Sequence, residues 1–370
     1  MSLDLSDIHK SFKDDKGLNG VSLQVPEGKT LVLFGPSGAG KTVLLRLIAG
    51  VIEPDEGQIK FSGVDVAGVE PEDRNIGMAF QNFALFPHMD AHANIASPLT
   101  AQKQDKSSIQ SGVHAIAKLL KIEHVLGHKP KELSNGQKQR TALARALAGK
   151  PKILLLDDPL RNVDAKLRFE MRLELPRLLS DQNATVVYVT QDYKEAMAFG
   201  DEIAVINEGT IQQIGTPEEI YLQPANVDIA RLFGDPVINF LDVELQKDDA
   251  GVFALISDKR VNLDAGYGHV VGKECSLGIR PESVLFVERD HERAVPVIVE
   301  AETPLNEKTV NLCLTARGRE IMASRPSGTE GPTAGQAFVT IEAANALIFD
   351  RATGALIAPV SPSAAEGKVA

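Results

Sequence analysis

The chain has 370 residues, of which 43% are hydrophobic and 24% are charged, and its formal net charge is −11. This composition is typical of a globular protein with two or three domains. The acidic balance argues against a nucleic-acid partner, because no surplus of cations exists to neutralise phosphates. No apolar run approaches the roughly 18 residues that cross a bilayer, and the N-terminus lacks a signal-peptide pattern. We therefore expect any membrane role to come through a partner, and reduced thiols at Cys275 and Cys313.

A strand, a glycine-rich loop and a helix follow one another near the N-terminus. Residues 30–34 are typical of a buried parallel strand, and residues 43–49 have a helical pattern that Gly50 ends. The loop between them has the pattern G-x-x-x-x-G-K-T and consists of Gly35, Pro36, Ser37, Gly38, Ala39, Gly40, Lys41 and Thr42. In such a loop, backbone N–H groups face an anion, the lysine reaches the β- and γ-phosphates, and the threonine hydroxyl binds Mg²⁺. The sequence therefore predicts a nucleoside triphosphate site rather than an ordinary glycine-rich turn.

The rest of the first 235 residues alternates helical patterns with apolar strands, which indicates an α/β core with a mostly parallel sheet. Residues 82–150 are mainly helical in pattern, whereas residues 153–156 and 184–190 are typical of strands. We expect Pro176 to kink or end the helix between these two strands. A capping box with proline at the first helical position, at residues 216–219, predicts one more helix.

From about residue 237 the pattern changes to short alternating segments, separated by proline, glycine and charged turns. Such a pattern predicts a small all-β barrel. We therefore divide the chain into a nucleotide-binding α/β domain at residues 1–235, with a helical subdomain at about 82–150, and a β-barrel domain at residues 236–370. Residues 361–370 are small and polar, and we expect them to be frayed.

Two further segments carry residues suited to phosphate chemistry. The strand at residues 153–156 is followed by Asp157, and phosphate-loop enzymes carry a carboxylate that organises Mg²⁺ at such a strand end. Residues 133–140 begin a helix for which Ser134 is a good N-cap, and the Asn-Gly pair after it lets the backbone approach a phosphate. Taken alone, this second segment fits a plain helix cap equally well.

Together these segments resemble the ATPase subunit of ATP-binding-cassette (ABC) transporters. The resemblance is greatest to the ATPases of importers for sugars, polyols and glycerol phosphate. The matching segments are the Walker A motif (residues 35–42), the Q-loop glutamine (Gln81), the signature (133–137), the Walker B aspartate (Asp157), the D-loop and following helix (162–168), and an aromatic residue that stacks on adenine (Phe12). Residues 239–241 and 277–282 are similar to the family's C-terminal regulatory domain of the oligonucleotide-binding (OB) type.

The resemblance implies a P-loop NTPase with a RecA-like core and a helical subdomain, followed by an all-β OB-type domain, and it implies ATP and Mg²⁺ as cofactors. The residues implied for Mg²⁺ are Thr42, Gln81 and Asp157, and those implied for catalysis are Asp158, Gln191 and Gln81. Phe12 and the phosphate loop would bind the ATP of their own chain. The residues implied for an ATP site shared between two ATPase subunits are Ser134, Gly136, Gln137 and Asp164.

The same resemblance implies an assembly at the cytoplasmic face of the inner membrane. Two ATPase subunits enclose two ATP molecules, and closure of this dimer drives two transmembrane permease subunits between inward- and outward-facing states. An extracytoplasmic solute-binding protein delivers the solute. Phe83, Leu85, Phe86 and Met89 either belong to the core or line the groove that receives a coupling helix of a permease, and the resemblance favours the groove.

Three positions depart from the family pattern. Asp158 stands where the family has a glutamate that acts on the attacking water, and its side chain is one methylene shorter. A displacement of about 1 Å can cost about 100-fold in rate. Gln191 replaces a histidine at the end of the next strand, and an amide can donate a hydrogen bond but cannot carry a proton or a positive charge. Asn135 replaces the first glycine of the signature, which we regard as tolerated variation.

We interpret Asp158 and Gln191 as an impaired site that binds ATP and hydrolyses it slowly, in preference to neutral variation. Such a chain fits best beside a second, unlike ATPase subunit, so we favour a heterodimer over a homodimer. Glycerol and related polyols are the favoured solutes, and sugars come next. Two alternatives stay open: a catalytically silent, nucleotide-sensing subunit of the same complex, and a soluble ABC ATPase outside transport, against which the C-terminal β domain counts.

Overall fold

The computed structural model describes residues 1–12, 15–342 and 345–360 of the chain. Contacts divide it into two compact units, Met1–Pro217 and Glu218–Ala370. Residues 218–235 are thus grouped with the second unit, and the domain boundary after residue 235 stays a prediction. The expectation for residues 361–370 falls outside the described residues.

The first unit combines a six-stranded sheet, a four-stranded sheet and helices. Its strands are β1 (Leu3–Phe12), β2 (Asp15–Val25), β3 (Thr30–Phe34), β4 (Glu56–Phe61), β5 (Val64–Asp65), β6 (Ile76–Ala79), β7 (Ile153–Asp157), β8 (Thr185–Thr190), β9 (Glu202–Asn207) and β10 (Thr210–Gly215). Its α-helices are α1 (Lys41–Ile48), α2 (Ala91–Ala101), α3 (Lys106–Leu119), α4 (Asn135–Ala148), α5 (Ala165–Asp181) and α6 (Tyr193–Phe199). The sheet orders are β10-β9-β3-β8-β7-β6 and β2-β1-β4-β5.

The six-stranded sheet brings the carboxyl ends of its five parallel strands to one edge. Strand β3 runs parallel to β8 and β9, and β7 runs parallel to β6 and β8. Phe34 at the end of β3 lies opposite Thr190, and Asp157 at the end of β7 lies opposite Val189. The phosphate loop, Asp157 and the residues after β8 therefore meet at the carboxyl edge, where open α/β sheets bind their ligands.

The sequence of the central strands accounts for their position. Every residue of β3, β7 and β8 is buried, as expected for parallel strands covered on both faces. Helix α1 adds Leu44, Leu45, Leu47 and Ile48 to the same core. Burial of each such side chain stabilises the fold by about 1.5–3 kcal/mol. This core holds the loop between β3 and α1 on a rigid base.

The predicted helices are present, with one correction. Helices α2, α3 and α4 lie within residues 82–150, and each begins after a capping side chain: Asp90, Asp105 or Ser134. Pro176 is expected to kink or end the helix; an end at Pro176 is wrong, because α5 continues through it to Asp181, and a kink stays a prediction. Leu175 and Leu179, on either side of the proline, are both buried, and their packing outweighs the one hydrogen bond that proline cannot donate.

The second unit is built mainly from strands, as predicted. Two short helices, α7 (Pro217–Leu222) and α8 (Val227–Leu232), come first. The strands are β11 (Asn239–Glu244), β12 (Gln246–Asp248), β13 (Gly251–Ile256), β14 (Lys259–Asn262), β15 (Glu274–Ile279), β16 (Val284–Phe286), β17 (Val295–Pro304), β18 (Lys308–Thr315), β19 (Glu320–Pro326), β20 (Gly335–Ile341), β21 (Leu347–Asp350) and β22 (Leu356–Ile357). Their sheet orders are β11-β15-β21-β22, β12-β13-β14 and β16-β20-β17-β18-β19. Val295, Val297 and Val299 of β17 and Cys313 of β18 belong to one apolar core.

Candidate functional site

A cleft at the carboxyl edge of the six-stranded sheet contains most of the predicted site residues. Its lining consists of Phe12, Gly17, Ser37, Gly38, Gly40, Lys41, Thr42, Val43, Gln81, Asp157, Asp158, Val189 and Gln191. These side chains come from segments that are far apart in sequence. The parallel order of β3, β8, β7 and β6 brings them together.

The loop between β3 and α1 needs glycine at two positions for different reasons. Gly40 has φ 99°, a left-handed conformation that side chains with a Cβ rarely adopt. At Gly35 the obstacle is space, since a Cβ would lie 2.1 Å from the carbonyl oxygen of Ile206 on β9. At Gly35 the loop is therefore packed directly on the sheet. At Gly40 its backbone turns and lines the cleft.

Lys41 is the buried cation of this loop. The residue is 6% exposed, and its Nζ donates hydrogen bonds to the carbonyl oxygens of Gly35 (2.7 Å) and Pro36 (2.6 Å). Burial lowers the pKa of Lys41, while the nearby carboxylates of Asp158 and Asp157 oppose this shift. The ammonium group is thus held at the base of the loop, where it can meet phosphate oxygens.

Thr42 and Asp157 form the pair expected for a divalent cation. Thr42 Oγ1 donates a hydrogen bond to Asp157 Oδ2 at 3.0 Å. Burial raises the pKa of Asp157, and the hydrogen bond from Thr42 acts in the opposite direction. A bound cation favours the charged carboxylate. The hydroxyl, the carboxylate and the amide of Gln81 in the same cleft are oxygen donors of the kind Mg²⁺ prefers, so the donor set fits this ion.

Asp158 follows directly after β7 and lies in a strained backbone conformation, with φ 50°. Its N–H donates to the carbonyl oxygen of Val189 at 2.9 Å. Its carboxylate lies 3.9 Å from the guanidinium of Arg161. Burial raises the pKa of Asp158, and the charge of Arg161 opposes that shift. The carboxylate thus lies in the cleft with Arg161 as a long-range ionic partner.

Gln191 follows β8 and contacts the phosphate loop. Its Nε2 donates a hydrogen bond to Ser37 Oγ at 3.1 Å. This contact places a neutral amide donor beside the loop, where the resemblance leads us to expect the γ-phosphate. The amide can donate to an anion but supplies no positive charge.

Comparison with known proteins shows the family to which this cleft belongs. A family model described as ABC transporter matches residues 18–161, and one described as MalK OB fold domain matches residues 234–284. The chain is 40% identical to the trehalose/maltose import ATP-binding protein MalK of Thermococcus litoralis, over 95% of this chain and 98% of that relative. The chain belongs to the ABC transporter ATPase family.

Other members of the family support this assignment. The chain is 43% identical to the sn-glycerol-3-phosphate import ATP-binding protein UgpC of Psychromonas ingrahamii, over 78% of this chain and 76% of that one. It is 39% identical to the osmoprotective compounds uptake ATP-binding protein GgtA of Synechocystis, over 89% of each chain. A solved dimeric ABC cassette, MJ0796 in a post-hydrolysis state with ADP and Pi, superimposes with a TM-score of 0.54 at 29% identity, over 58% of this chain and 98% of that one. The predicted fold, ATP and Mg²⁺ are confirmed at the level of the family.

The predicted signature and D-loop residues do not line the cleft of their own chain. Ser134 is the N-cap of α4 and exchanges hydrogen bonds with Gln137 in a capping box. Asp164 is the N-cap of α5, where its Oδ1 accepts from the N–H of Leu167 at 3.0 Å. Ser134 and Asp164 therefore act as helix caps within this chain. A role for Ser134, Gly136, Gln137 and Asp164 at the ATP of a second subunit stays a prediction.

Sequence reasoning missed three residues of the cleft: Gly17, Val43 and Val189. Val43 and Val189 adjoin residues of recognised motifs, and this adjacency could have identified them. Gly17 carries no such signal. It reaches the cleft because β1 and β2 pair as a hairpin, with Lys10 opposite Leu18, which places Gly17 close to Phe12.

Proposed function

We propose that this chain hydrolyses ATP to drive the import of a small, polar, carbohydrate-like solute. The observation that carries the proposal is the single cleft in which Lys41, the Thr42–Asp157 pair, Asp158 and Gln191 meet. Relatives named for trehalose/maltose, glycerol 3-phosphate and osmoprotective compounds support this class of solute. Within that class we favour glycerol and related polyols, and sugars come next.

The predicted site residues of the cleft have distinct parts in ATP hydrolysis. The loop N–H groups and Lys41 bind the β- and γ-phosphates, and Phe12 contacts the adenine. Thr42, Asp157 and Gln81 would hold Mg²⁺, which neutralises phosphate charge when it is bound. Asp158 orients the attacking water, and Gln191 donates a hydrogen bond towards the γ-phosphate. The chain thus supplies positioning and electrostatic stabilisation, the main requirements of phosphoryl transfer.

The segment after Gln81 is suited to contact with a permease. Phe86 is 42% exposed, and the guanidinium of Arg145 lies 5.3 Å from the centre of its ring. Asn94, which is buried, accepts from the N–H of Phe86 at 2.8 Å and donates to its carbonyl oxygen at 3.2 Å. An exposed aromatic held this firmly supports the docking role that we assign to Phe83, Leu85, Phe86 and Met89.

The partners follow from this function. We propose two transmembrane permease subunits and an extracytoplasmic solute-binding protein, with the ATPase bound peripherally at the cytoplasmic face of the membrane. None of the helices in the described residues is long and apolar enough to span a bilayer. A solved relative of the cassette is dimeric, which supports pairing of two ATPase subunits.

The unlike second ATPase subunit and the impaired site depend only on Asp158 and Gln191. The relatives lend them no support, and both stay hypotheses. A nucleotide-sensing subunit without turnover is the remaining alternative within transport. The MalK-type OB match at residues 234–284 weighs against a soluble cassette ATPase outside transport.

Purification of the tagged chain from native membranes tests the proposed function. We expect permease subunits to co-purify, and the complex in proteoliposomes to accumulate labelled glycerol, glycerol 3-phosphate or maltose only with internal ATP. Vesicles loaded with ADP in place of ATP serve as the inactive control. Recovery of the chain solely in the soluble fraction, with ATPase activity but no permease, would overturn the transport function.

A further inference from the structure

Gln139 is a buried amide on α4 that the ATP-binding motifs leave unexplained. The residue is 4% exposed. Its Nε2 donates to the carbonyl oxygen of Asp158 at 2.6 Å, and its Oε1 accepts from the N–H of Asn162 at 2.8 Å. One side chain of the signature helix therefore holds both ends of the segment 158–162, which begins at Asp158 and leads into the D-loop.

A second observation shows how closely α4 and this segment fit. A Cβ on Gly136, one helical turn before Gln139, would lie 2.8 Å from the carbonyl oxygen of Asn162. The signature helix thus contacts the segment at two successive turns. A displacement of α4 cannot leave the backbone of residues 158–162 in place without breaking one of these contacts.

The segment is also anchored on its other side. The N–H of Asp158 donates to Val189 at the end of β8, so the backbone of Asp158 is held between the sheet and α4. Its left-handed φ of 50° persists because these contacts on both sides determine it. This backbone geometry fixes the direction of the Asp158 Cα–Cβ bond, and so the side from which the carboxylate enters the cleft.

We infer that Gln139 is a positioning residue that couples the signature segment to Asp158, and so links the two ATP sites of an ABC dimer. The inference rests on the proposed function, in which Ser134 and Gly136 contact the ATP of the second subunit while Asp158 acts on the ATP of its own chain. Contact of the signature with that ATP positions α4, and Gln139 transmits the position to Asp158. Because a displacement of about 1 Å can change a rate about 100-fold, a small movement of α4 is sufficient.

Two substitutions at Gln139 distinguish a coupling role from a purely structural role of this side chain. Gln139→Met has a similar size and removes both hydrogen bonds. Gln139→Glu keeps the acceptor for Asn162 and removes the donor to Asp158. Lys138→Met, at the neighbouring partly exposed position of α4, is the matched control. The complexes recovered from native membranes, each carrying one of these full-length chains, are compared in turnover as a function of ATP concentration, in affinity for a fluorescent ATP analogue, and in thermal unfolding.

We expect wild type and Lys138→Met to hydrolyse ATP cooperatively. Both Gln139 variants should bind the analogue within about twofold of wild type, while kcat falls at least about tenfold and the Hill coefficient approaches one. Unchanged kcat and cooperativity, or a wild-type Hill coefficient of one, would overturn the coupling. Loss of nucleotide affinity together with the folded state in both variants would show a structural residue and would overturn it as well. Absence of turnover in the wild-type complex would instead count against the proposed function.

Discussion

At the scale of single residues, the cleft holds one buried ammonium group near two carboxylates. Lys41 is bonded to carbonyl oxygens of its own loop, and Asp157 and Asp158 oppose the loss of its proton. The loop is therefore prepared for an anion before any anion binds. Burial raises the pKa of Asp157 and Asp158, because it disfavours their charged forms. A bound cation would stabilise those charged forms.

Replacement of Lys41 tests the nucleotide site. We expect Lys41→Ala to weaken ATP binding about 100-fold or more, because it removes a buried cation that meets the phosphates. Lys118→Ala, which changes an exposed lysine on α3, is the control and should bind like wild type. Equilibrium titration with a fluorescent ATP analogue measures both. Unchanged affinity in Lys41→Ala would remove the basis for the site.

The two departures from the family pattern lead to a second prediction. Restoring the family residues as Asp158→Glu and Gln191→His should raise turnover up to about 100-fold, since the longer carboxylate reaches the water and the histidine can carry charge. ATP affinity should change little, because both groups act mainly on the transition state. The single substitutions should not be additive, since both side chains face the same phosphate.

Steady-state turnover of the purified chain, with nucleotide affinity measured in parallel, checks this prediction. Wild type and each single variant are the controls. Equal turnover in the double variant and wild type would mean that Asp158 and Gln191 are neutral. The argument for an impaired site, and with it the argument for an unlike partner, would then fail.

At the scale of elements, the junction between β8 and α6 carries a buried carboxyl group four residues after Gln191. Glu195 is 2% exposed, and its Oε2 accepts from Tyr188 Oη and Thr190 Oγ1, each at 2.9 Å. Thr190 Oγ1 also accepts from the N–H of Asp192. Burial raises the pKa of Glu195 to about 7, against the hydrogen bonds and with the help of the negative charges of Asp192 and Asp158.

This shift predicts a pH-dependent stability. The ordinary pKa of the group is 4.5 and the folded-state pKa is about 7, so the folded state binds the proton more tightly. The stabilisation is fully present below pH 4.5 and is lost as the pH rises through about 7, a change of about 3 kcal/mol. Glu195→Gln cannot titrate and should lack this loss.

Urea unfolding at about pH 5 and about pH 8 measures the effect as a difference between wild type and Glu195→Gln. Other titrating groups contribute equally to both proteins and cancel. Wild type should lose more unfolding free energy than the variant between the two pH values. Parallel pH profiles would show that Glu195 titrates at its ordinary pKa.

At the scale of the whole molecule, the chain joins a nucleotide-binding unit to a β unit of a different kind. In the second unit, the buried guanidinium of Arg280 donates to the carbonyl oxygens of Ala230 and Tyr221, at 3.1 and 2.7 Å. Helices α7 and α8 are thereby held to the β unit. This explains why residues 218–235 group with the second unit rather than with the first.

The pairing of this chain with a second ATPase subunit can be tested on the whole complex. If the chain works beside an unlike ATPase subunit, it should hydrolyse ATP weakly when purified alone and much faster in the complex recovered from native membranes. Mass spectrometry of that complex identifies its subunits, and turnover per subunit compares the two preparations. Robust turnover by a homodimer of this chain would contradict the heterodimer and leave the ATPase function intact.

The order of the ATP-binding motifs, the parallel sheet and the β-rich second unit could all be predicted from the sequence. Each depends on local patterns. These are the spacing of glycines and Lys41 in residues 35–42, the apolar runs that form β3 and β7, and the change near residue 237 to short alternating segments. Such patterns can be recognised in the sequence, because the backbone conformation and burial of an element depend largely on residues that are close in sequence.

Only the tertiary structure decided which side chains meet. Gly17 reaches the cleft through strand pairing, α5 continues through Pro176 because its neighbours are buried, and Gln139 bonds to Asp158 and Asn162 across two elements. These contacts join residues whose separation in sequence says nothing about their distance in space. They depend on how helices pack against the sheet, and packing is set by the whole core rather than by any local segment.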